Sequence, residues 1–200
     1  TSCLHERFGI PWDSSCGRYE VHVPESLVIQ VRRAMHKVRR PVAVHYLGDS
    51  DKGRKDLSVE QAESICQHIL SLGCTPLVLD WRPDPLSKYG VTRLGLSGGH
   101  DVHMNCAVIA ACEAFVGIDS GPSKCASAIE TPALVTWTRH HPAPFHDPAP
   151  NTTHLVPENY HGLEPVCGDP GVIAFFEANY NVRTYIDPVA SIKEWLCEHL

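Results

Sequence analysis

From residue 41 to residue 157 short apolar runs alternate with amphipathic segments, joined by only a few residues. A run with no polar face must be buried on both sides. A helix between two such runs returns the chain to the same edge of the sheet, so the order implies parallel strands with helices on both faces. The expected strands are "PVAVHY" (41–46), "PLVLD" (76–80), "VTRLGL" (91–96), "FVGID" (115–119), "PALVTW" (132–137) and "THLVP" (153–157). The expected helices begin with Pro24, Glu25 and Ser26, where Leu27, Val31, Ala34, Met35 and Val38 recur at helical spacing. A second starts at a capping box, Ser58 with Gln61, and stops at Gly73. Segments 102–114 and 122–130 supply two more, and an amphipathic helix carrying Ile192, Trp195 and Leu196 ends the chain. "YEVHV" (19–23) alternates briefly, and a Pro/Gly-rich region follows residue 157. The pattern predicts a three-layer α/β/α fold around a mainly parallel sheet.

Two hundred residues suit one domain. Residues 1–18 have no sustained period and read as a tail or the remnant of a preceding domain, with 19–200 as the folded unit. A net charge of -6 provides no field for a polyphosphate backbone, so no nucleic acid is expected as partner. No window approaches the roughly twenty apolar residues of a spanning helix, and no secretory pattern opens the sequence, so the expected location is cytoplasmic. Cys66, Cys74, Cys106, Cys112 and Cys125 lie in apolar periodic segments and read as buried reduced thiols; Cys3 and Cys16 flank a polar stretch. Arg33, Lys37, Arg39 and Arg40 make the last turn of the first helix basic, which complements the helix dipole and reads as a solvated face.

In an open α/β sheet ligands bind beyond the carboxyl ends of the strands, where helix N-termini present free N–H groups. The segment "IDSGPSK" (118–124) leaves such a strand end and starts a helix. There Asp119 and Ser120 can cap, Ser120 and Gly121 offer little-hindered amides, Pro122 suits the first turn and Lys124 adds a cation, together a cradle for a diphosphate. The bland alternative is a capped helix with a tight-turn glycine. A second cluster follows the first strand: Gly48, Lys52, Arg54 and Lys55 form a basic, glycine-containing loop that can clamp an anion. It has neither the P-loop order nor the dinucleotide glycine fingerprint. His100, His103, His140, His141 and His146 complete no recognised metal-ligand spacing, and no metal site is expected. No GxSxG elbow is present. The Asn151-Thr152-Thr153 sequon carries no meaning without a secretory signal.

"FVGIDSGPSKCASAIETPALVTW" (115–137) resembles the donor-site segment of glycosyltransferase family nine, the ADP-heptose:lipopolysaccharide heptosyltransferases, and "PVAVHYLGDSDKGRKDLSVEQAESICQHILSLGCTPLVLD" (41–80) resembles that family's first strand, basic loop, helix and second strand. The resemblance spans roughly Tyr19 to Pro157. It implies a Rossmann-like fold, that of the C-terminal, donor-binding domain of a two-domain GT-B glycosyltransferase. By motif, Asp119, Ser120 and Gly121 would lie against the donor's diphosphate and sugar, and Lys55 would meet a phosphate. This chain departs from the family pattern at Lys124, where a histidine is usual, and at Glu130-Thr131-Pro132, where a glycine usually precedes the proline.

The resemblance therefore implies a donor domain that holds a nucleoside-diphosphate sugar, first an ADP-sugar, for inverting transfer to an acceptor hydroxyl. No metal or other cofactor is implied, since lysines and helix N-termini can neutralise the leaving diphosphate. The family's general base comes from the other half, so the catalytic residues are unassigned here and the expected partner is a separate or missing N-terminal acceptor domain. The alternative is a non-catalytic nucleotide-sugar-binding or interaction module; a more distant one is a nucleotide hydrolase with Asp119 as base.

Overall fold

The computed structural model describes residues 20–49, 53–80, 84–97, 101–146, 148–163 and 170–200. In chain order the elements are α1 (Glu25–Ala34), β1 (Pro41–His45), α2 (Val59–Ser71), β2 (Thr75–Val78), two 3-10 turns (Ser87–Tyr89 and Val91–Leu94), α3 (Val102–Ala110), β3 (Ala114–Ile118), α4 (Gly121–Ala128), β4 (Ala133–Thr136), β5 (Thr152–Pro157), a 3-10 turn (Tyr160–Gly162), α5 (Pro170–Asn179), β6 (Asn181–Tyr185) and α6 (Pro188–His199). The six strands form one sheet in the order β2-β1-β3-β4-β5-β6, every pair parallel.

Alternation along the strands divides the core. Val42, Val44, Val116 and Leu134 point to the face covered by α2 and α6, where Ile65, Ile69, Ile192, Trp195 and Leu196 are buried. Ala43, Phe115 and Ala133 point to the other face, covered by α1, α3 and α4, and that layer continues through Trp137 and His154 to α5, whose Phe176 and Tyr180 rings pack there. The arrangement is the expected three-layer α/β/α sandwich. It is stabilised as such folds are, by burying both faces of the sheet, at about 25 cal/mol for each Å² of apolar surface removed from water.

Local signals fix several boundaries. Ser58 Oγ accepts from Gln61 N–H while Gln61 Oε1 accepts from Ser58 N–H, a reciprocal cap at the start of α2. Gly73, at φ 73°, ends that helix in the left-handed conformation that glycine adopts without strain. Asn151 is spent internally: its Nδ2 donates to Ala126 O and Thr131 O, tying α4 to the start of β5.

Three segments differ from the sequence expectation. "VTRLGL" is no strand. Asp80, buried at the end of β2, accepts from both N–H and Oγ1 of Thr92 and winds residues 91–94 into a 3-10 turn, leaving one isolated bridge from Val78 to Gly90. The Pro/Gly-rich region contains α5 and the sixth strand, β6, whose half-exposed edge position gives it no apolar run to read. Among the described residues, 20–23 pair with no strand, although Val21 and Val23 pack on the core. The proposed tail, with Cys3 and Cys16, lies outside the described residues, as do Lys52 and His100. The five cysteines read as reduced are free thiols, buried or nearly so, and burial pushes the Cys66 thiol up to about 12. Among the described residues no helix is long and apolar enough to cross a membrane.

Candidate functional site

β1 has β2 on one side and β3 on the other, so the connections leaving β1 and β3 diverge to opposite faces and open a crevice between them. Both sequence-predicted clusters fall on that crevice. The loop after β1 is closed by Leu57 N–H donating to Tyr46 O at 3.1 Å. Within it the Asp56 carboxylate accepts from Gly48 N–H at 2.8 Å and Gly53 N–H at 3.1 Å, so the Gly48 amide is spent on the loop itself. Gly48 is buried and close-packed: a Cβ there would lie 3.0 Å from Lys55 Cε and 3.6 Å from Ile118 Cδ1. That contact brings the Lys55 stem across Gly48 toward the end of β3, where Asp119 begins. Arg54 is exposed; its carbonyl accepts from Thr138 Oγ1 at 3.2 Å, anchoring the loop to the end of β4.

The second loop is two residues long. Ser120 sits extended, φ -163°, at the N-cap of α4. Its hydroxyl lies 3.2 Å from Ile118 O and 3.0 Å from His45 Nδ1, and it caps the third residue of the helix. Ser123 Oγ in turn accepts from Ser120 N–H at 3.3 Å and donates to Ser120 O at 2.7 Å. A hydroxyl has one proton and two lone pairs, so Ser120 is saturated by its own turn and His45 together. Gly121 differs: among the described residues its N–H meets no acceptor, and a Cβ placed on it would meet nothing within 4 Å. One amide of the predicted cradle is therefore unspent among the described residues, at the positive end of the helix dipole. Pro122, with no N–H to satisfy, occupies the second helical position.

Lys124 donates to Asp119 Oδ1 at 3.0 Å, and its ammonium lies 5.4 Å from the centre of the Trp137 ring. Both side chains of this pair are largely shielded from water. An incoming phosphate would compete with the Asp119 carboxylate for the same ammonium. His45 went unremarked in the sequence, although it closes a strand at its carboxyl end, the one signal that could have found it. It is 7 % exposed. Burial pushes its imidazole down to about 4, against a pull upward from Asp56 and with a further push downward from Lys55, so it is neutral at pH 7. His45 itself, with Tyr46, Leu47, Val78, Leu79 and Asp84, lines a shallow surface dent.

Of the histidines weighed as metal ligands, the four that are described do not gather. His103 is exposed on α3; His140 stacks on Phe145; His141 and His146 are buried among aromatic rings. Among the described residues no group of three or more His, Cys, Asp or Glu side chains could hold a metal ion.

An all-parallel six-stranded sheet between two helix layers, with a helix N-terminus and a basic loop at its switch point, defines an open three-layer α/β fold. No family model and no curated protein matches this sequence. Among solved structures it is similar to "the glycosyl transferase family 9 from Veillonella parvula DSM 2008", at 11% identity over 90% of this chain and 52% of that one, with a TM-score of 0.56. It also matches the E. coli heptosyltransferase WaaC with ADP, at 14% identity over 74% of this chain and 48% of that one, with a TM-score of 0.47. The first likeness shows a glycosyltransferase-like fold, of the family-nine kind. The chain spans about half the length of these solved proteins.

Proposed function

We propose that this chain is the donor-binding half of a heptosyltransferase-like glycosyltransferase, holding a nucleoside-diphosphate sugar, first an ADP-sugar, in the crevice between the β1 and β3 loops. The observation that carries this reading is the Gly121 amide at the start of α4, which meets no acceptor among the described residues, with Lys124 one turn further along the same helix and Lys55 on the loop after β1. A diphosphate oxygen would accept from Gly121 N–H. The Lys124 ammonium would exchange Asp119 for a second oxygen, which frees the Asp119 carboxylate for the sugar hydroxyls. Charge that builds on the leaving diphosphate would be met by two lysines and the helix dipole, which asks for no metal. Transfer to an acceptor needs a base within hydrogen-bond reach of the acceptor hydroxyl, supplied by a second half.

Calorimetric titration with ADP-, GDP-, UDP- and CDP-sugars tests the reading. Selective binding that Gly121→Ala preserves and Gly121→Pro abolishes is the expected outcome, because alanine keeps the amide and fits the open space while proline deletes the donor. Lys124→Ala should weaken binding about tenfold or more, the worth of one charged hydrogen bond. No binding of any sugar nucleotide at millimolar concentration would end the proposal. The second reading, a module that binds without transfer, is favoured by Lys124 standing where the resemblance leads one to expect an imidazole; binding with no turnover on any acceptor would select it.

A further inference from the structure

Six cysteines among the described residues are free thiols, and they divide by position. Cys66, Cys74, Cys106 and Cys125 are buried, and Cys112, half-buried, spends its Sγ on Val108 O at 3.2 Å. Cys197, in the last turn of α6, is exposed. Its Sγ lies 3.4 Å from Nε2 of His68, in the last turn of α2, so the contact crosses the seam between the two helices. The same Nε2 lies 3.2 Å from Lys193 O, one turn before Cys197 on α6. A carbonyl oxygen only accepts, so Nε2 carries the hydrogen whether the imidazole is neutral or charged. The N–H that meets the carbonyl also faces the sulfur, which puts Cys197 on the accepting side of the contact. A donor aimed at sulfur binds a thiolate more tightly than a thiol, and the thiolate is the nucleophilic form.

The charged neighbours are engaged elsewhere. On α6, Lys193 Nζ donates to Ser64 Oγ at 2.9 Å, Glu198 accepts from Arg183 at 2.7 Å with Glu194 near the same guanidinium, and the His199 ring stacks on Trp195. On α2, Glu63 is held by Lys88. Among the described residues, His68 is the one hydrogen-bond partner of the exposed thiol. Because α2 leads into β2 and α6 follows β6, the last turns of both helices lie at the end of the sheet opposite the crevice, and the pair does not belong to the site described above. We propose that Cys197 is a thiol-modification site that forms mixed disulfides with small disulfides of the glutathione class, with His68 as its positioning residue. The Cys197 thiolate attacks one sulfur of the incoming disulfide, and a new S–S bond forms as the old one breaks. The departing sulfur leaves as a thiolate and takes up from solvent the proton that Cys197 released. Cys197 is oxidised, the departing thiol is reduced, and the small disulfide is itself the oxidant. The modification does not depend on the glycosyltransferase reading.

Incubation of the chain with oxidised glutathione, followed by peptide mapping without reductant, tests the proposal, with iodoacetamide alkylation as a second probe of the same sulfur. Cys197 should acquire one glutathionyl group, removed by dithiothreitol. It should also alkylate about tenfold faster, or more, than Cys66, Cys74, Cys106, Cys112 or Cys125 in the folded chain, since buried thiols are inert. His68→Leu, which deletes the donor, should slow both reactions about tenfold, the worth of one hydrogen bond to a charged group. His68→Gln, whose side-chain amide N–H reaches the same place, should restore most of the rate, whereas a purely structural role for His68 would leave the two variants alike. A thermal melt checks that each variant folds, and the comparison of Cys197 with the buried thiols in the wild-type chain holds even where one does not. No adduct at Cys197, alkylation no faster than that of the buried thiols, an unchanged rate in His68→Leu, or equal slowing by leucine and glutamine would each overturn the proposal.

Discussion

At the scale of single residues, contacts that no pattern announces do the positioning. Gly90 is one: a Cβ there would fall 2.2 Å from an Asp80 carboxylate oxygen, and Asp80 is the acceptor that folds the 91–94 turn. Gly90→Ala should therefore destabilise by about 1–3 kcal/mol, the range for overpacking a closed site, measured by urea unfolding; an unchanged midpoint would show that Asp80 can move aside at no cost. His45 is another. With its Nδ1 3.0 Å from Ser120 Oγ, it joins the end of β1 to the turn that starts α4. His45→Leu should cost about 1 kcal/mol, the worth of one lost hydrogen bond, since Ser120 Oγ keeps Ile118 O, and His45→Asn, whose amide can reach the Nδ1 position, should recover part of that loss. If leucine and asparagine variants melt alike, the link is idle. The aspartate, serine and glycine of the predicted cradle were readable as a group, but their division of labour was not. Only the tertiary structure reveals that Ser120 is consumed by its turn and by His45 while Gly121 keeps room beside it.

At the scale of elements, the legible ones carried their own boundary chemistry. The α2 cap is written in Ser58 and Gln61, and its stop in Gly73. Ser58→Ala should lower stability by about 1 kcal/mol, the usual worth of an N-cap, read as a shifted unfolding midpoint with an unchanged slope; no shift would mean the helix is held by tertiary packing alone. β1, β3 and β4 were legible because central strands buried on both faces leave unbroken apolar runs. β6 was not, because an edge strand half open to solvent has no such run: Asn181, Arg183 and Thr184 alternate with Val182 and Tyr185 in a composition that a loop could share. "VTRLGL" misled for the opposite reason. Its apolar residues are buried, Val91 and Leu96 among them, yet a short buried run suits a turn as well as a strand, and the deciding partner, Asp80, lies twelve residues before Thr92.

At the scale of the whole molecule, three buried histidines set the response to acid. His45, pushed down to about 4, is joined by His154 and His141, both held below their ordinary value chiefly by burial. His154 accepts from Trp137 Nε1 at 2.9 Å and faces His146, with Lys124 adding a further push downward; His141 has His161 pushing the same way and Glu177 opposing. Nδ1 of His154 accepts from Trp137 Nε1 and Nδ1 of His141 from Ala143 N–H, so each neutral ring carries its proton on Nε2, and a second proton would have to go to Nδ1 at the cost of the hydrogen bond accepted there. The unfolded chain binds protons near pH 6.5 and the native state resists them, so the unfolded state holds more protons in between. Stability is complete above about pH 6.5 and falls as the pH drops toward 4. The melting temperature should fall steadily from pH 7 to pH 5, and His45→Asn should flatten that slope by removing one of the three; a slope the same in the variant would mean His45 does not titrate on unfolding.

Periodicity and boundary residues were enough for the sequence to establish the layers, the parallel sense of the sheet and the two loops worth inspecting, because those depend on which side chains must leave water and on local hydrogen bonds. The strand order was beyond it. That order, β2-β1-β3, is what makes the basic loop and the α4 turn neighbours, and it is set by packing between segments some seventy residues apart. The tertiary structure likewise decided which donors remain unspent, since a hydrogen bond satisfied inside the fold is lost to a ligand and only the full set of partners shows where each one goes.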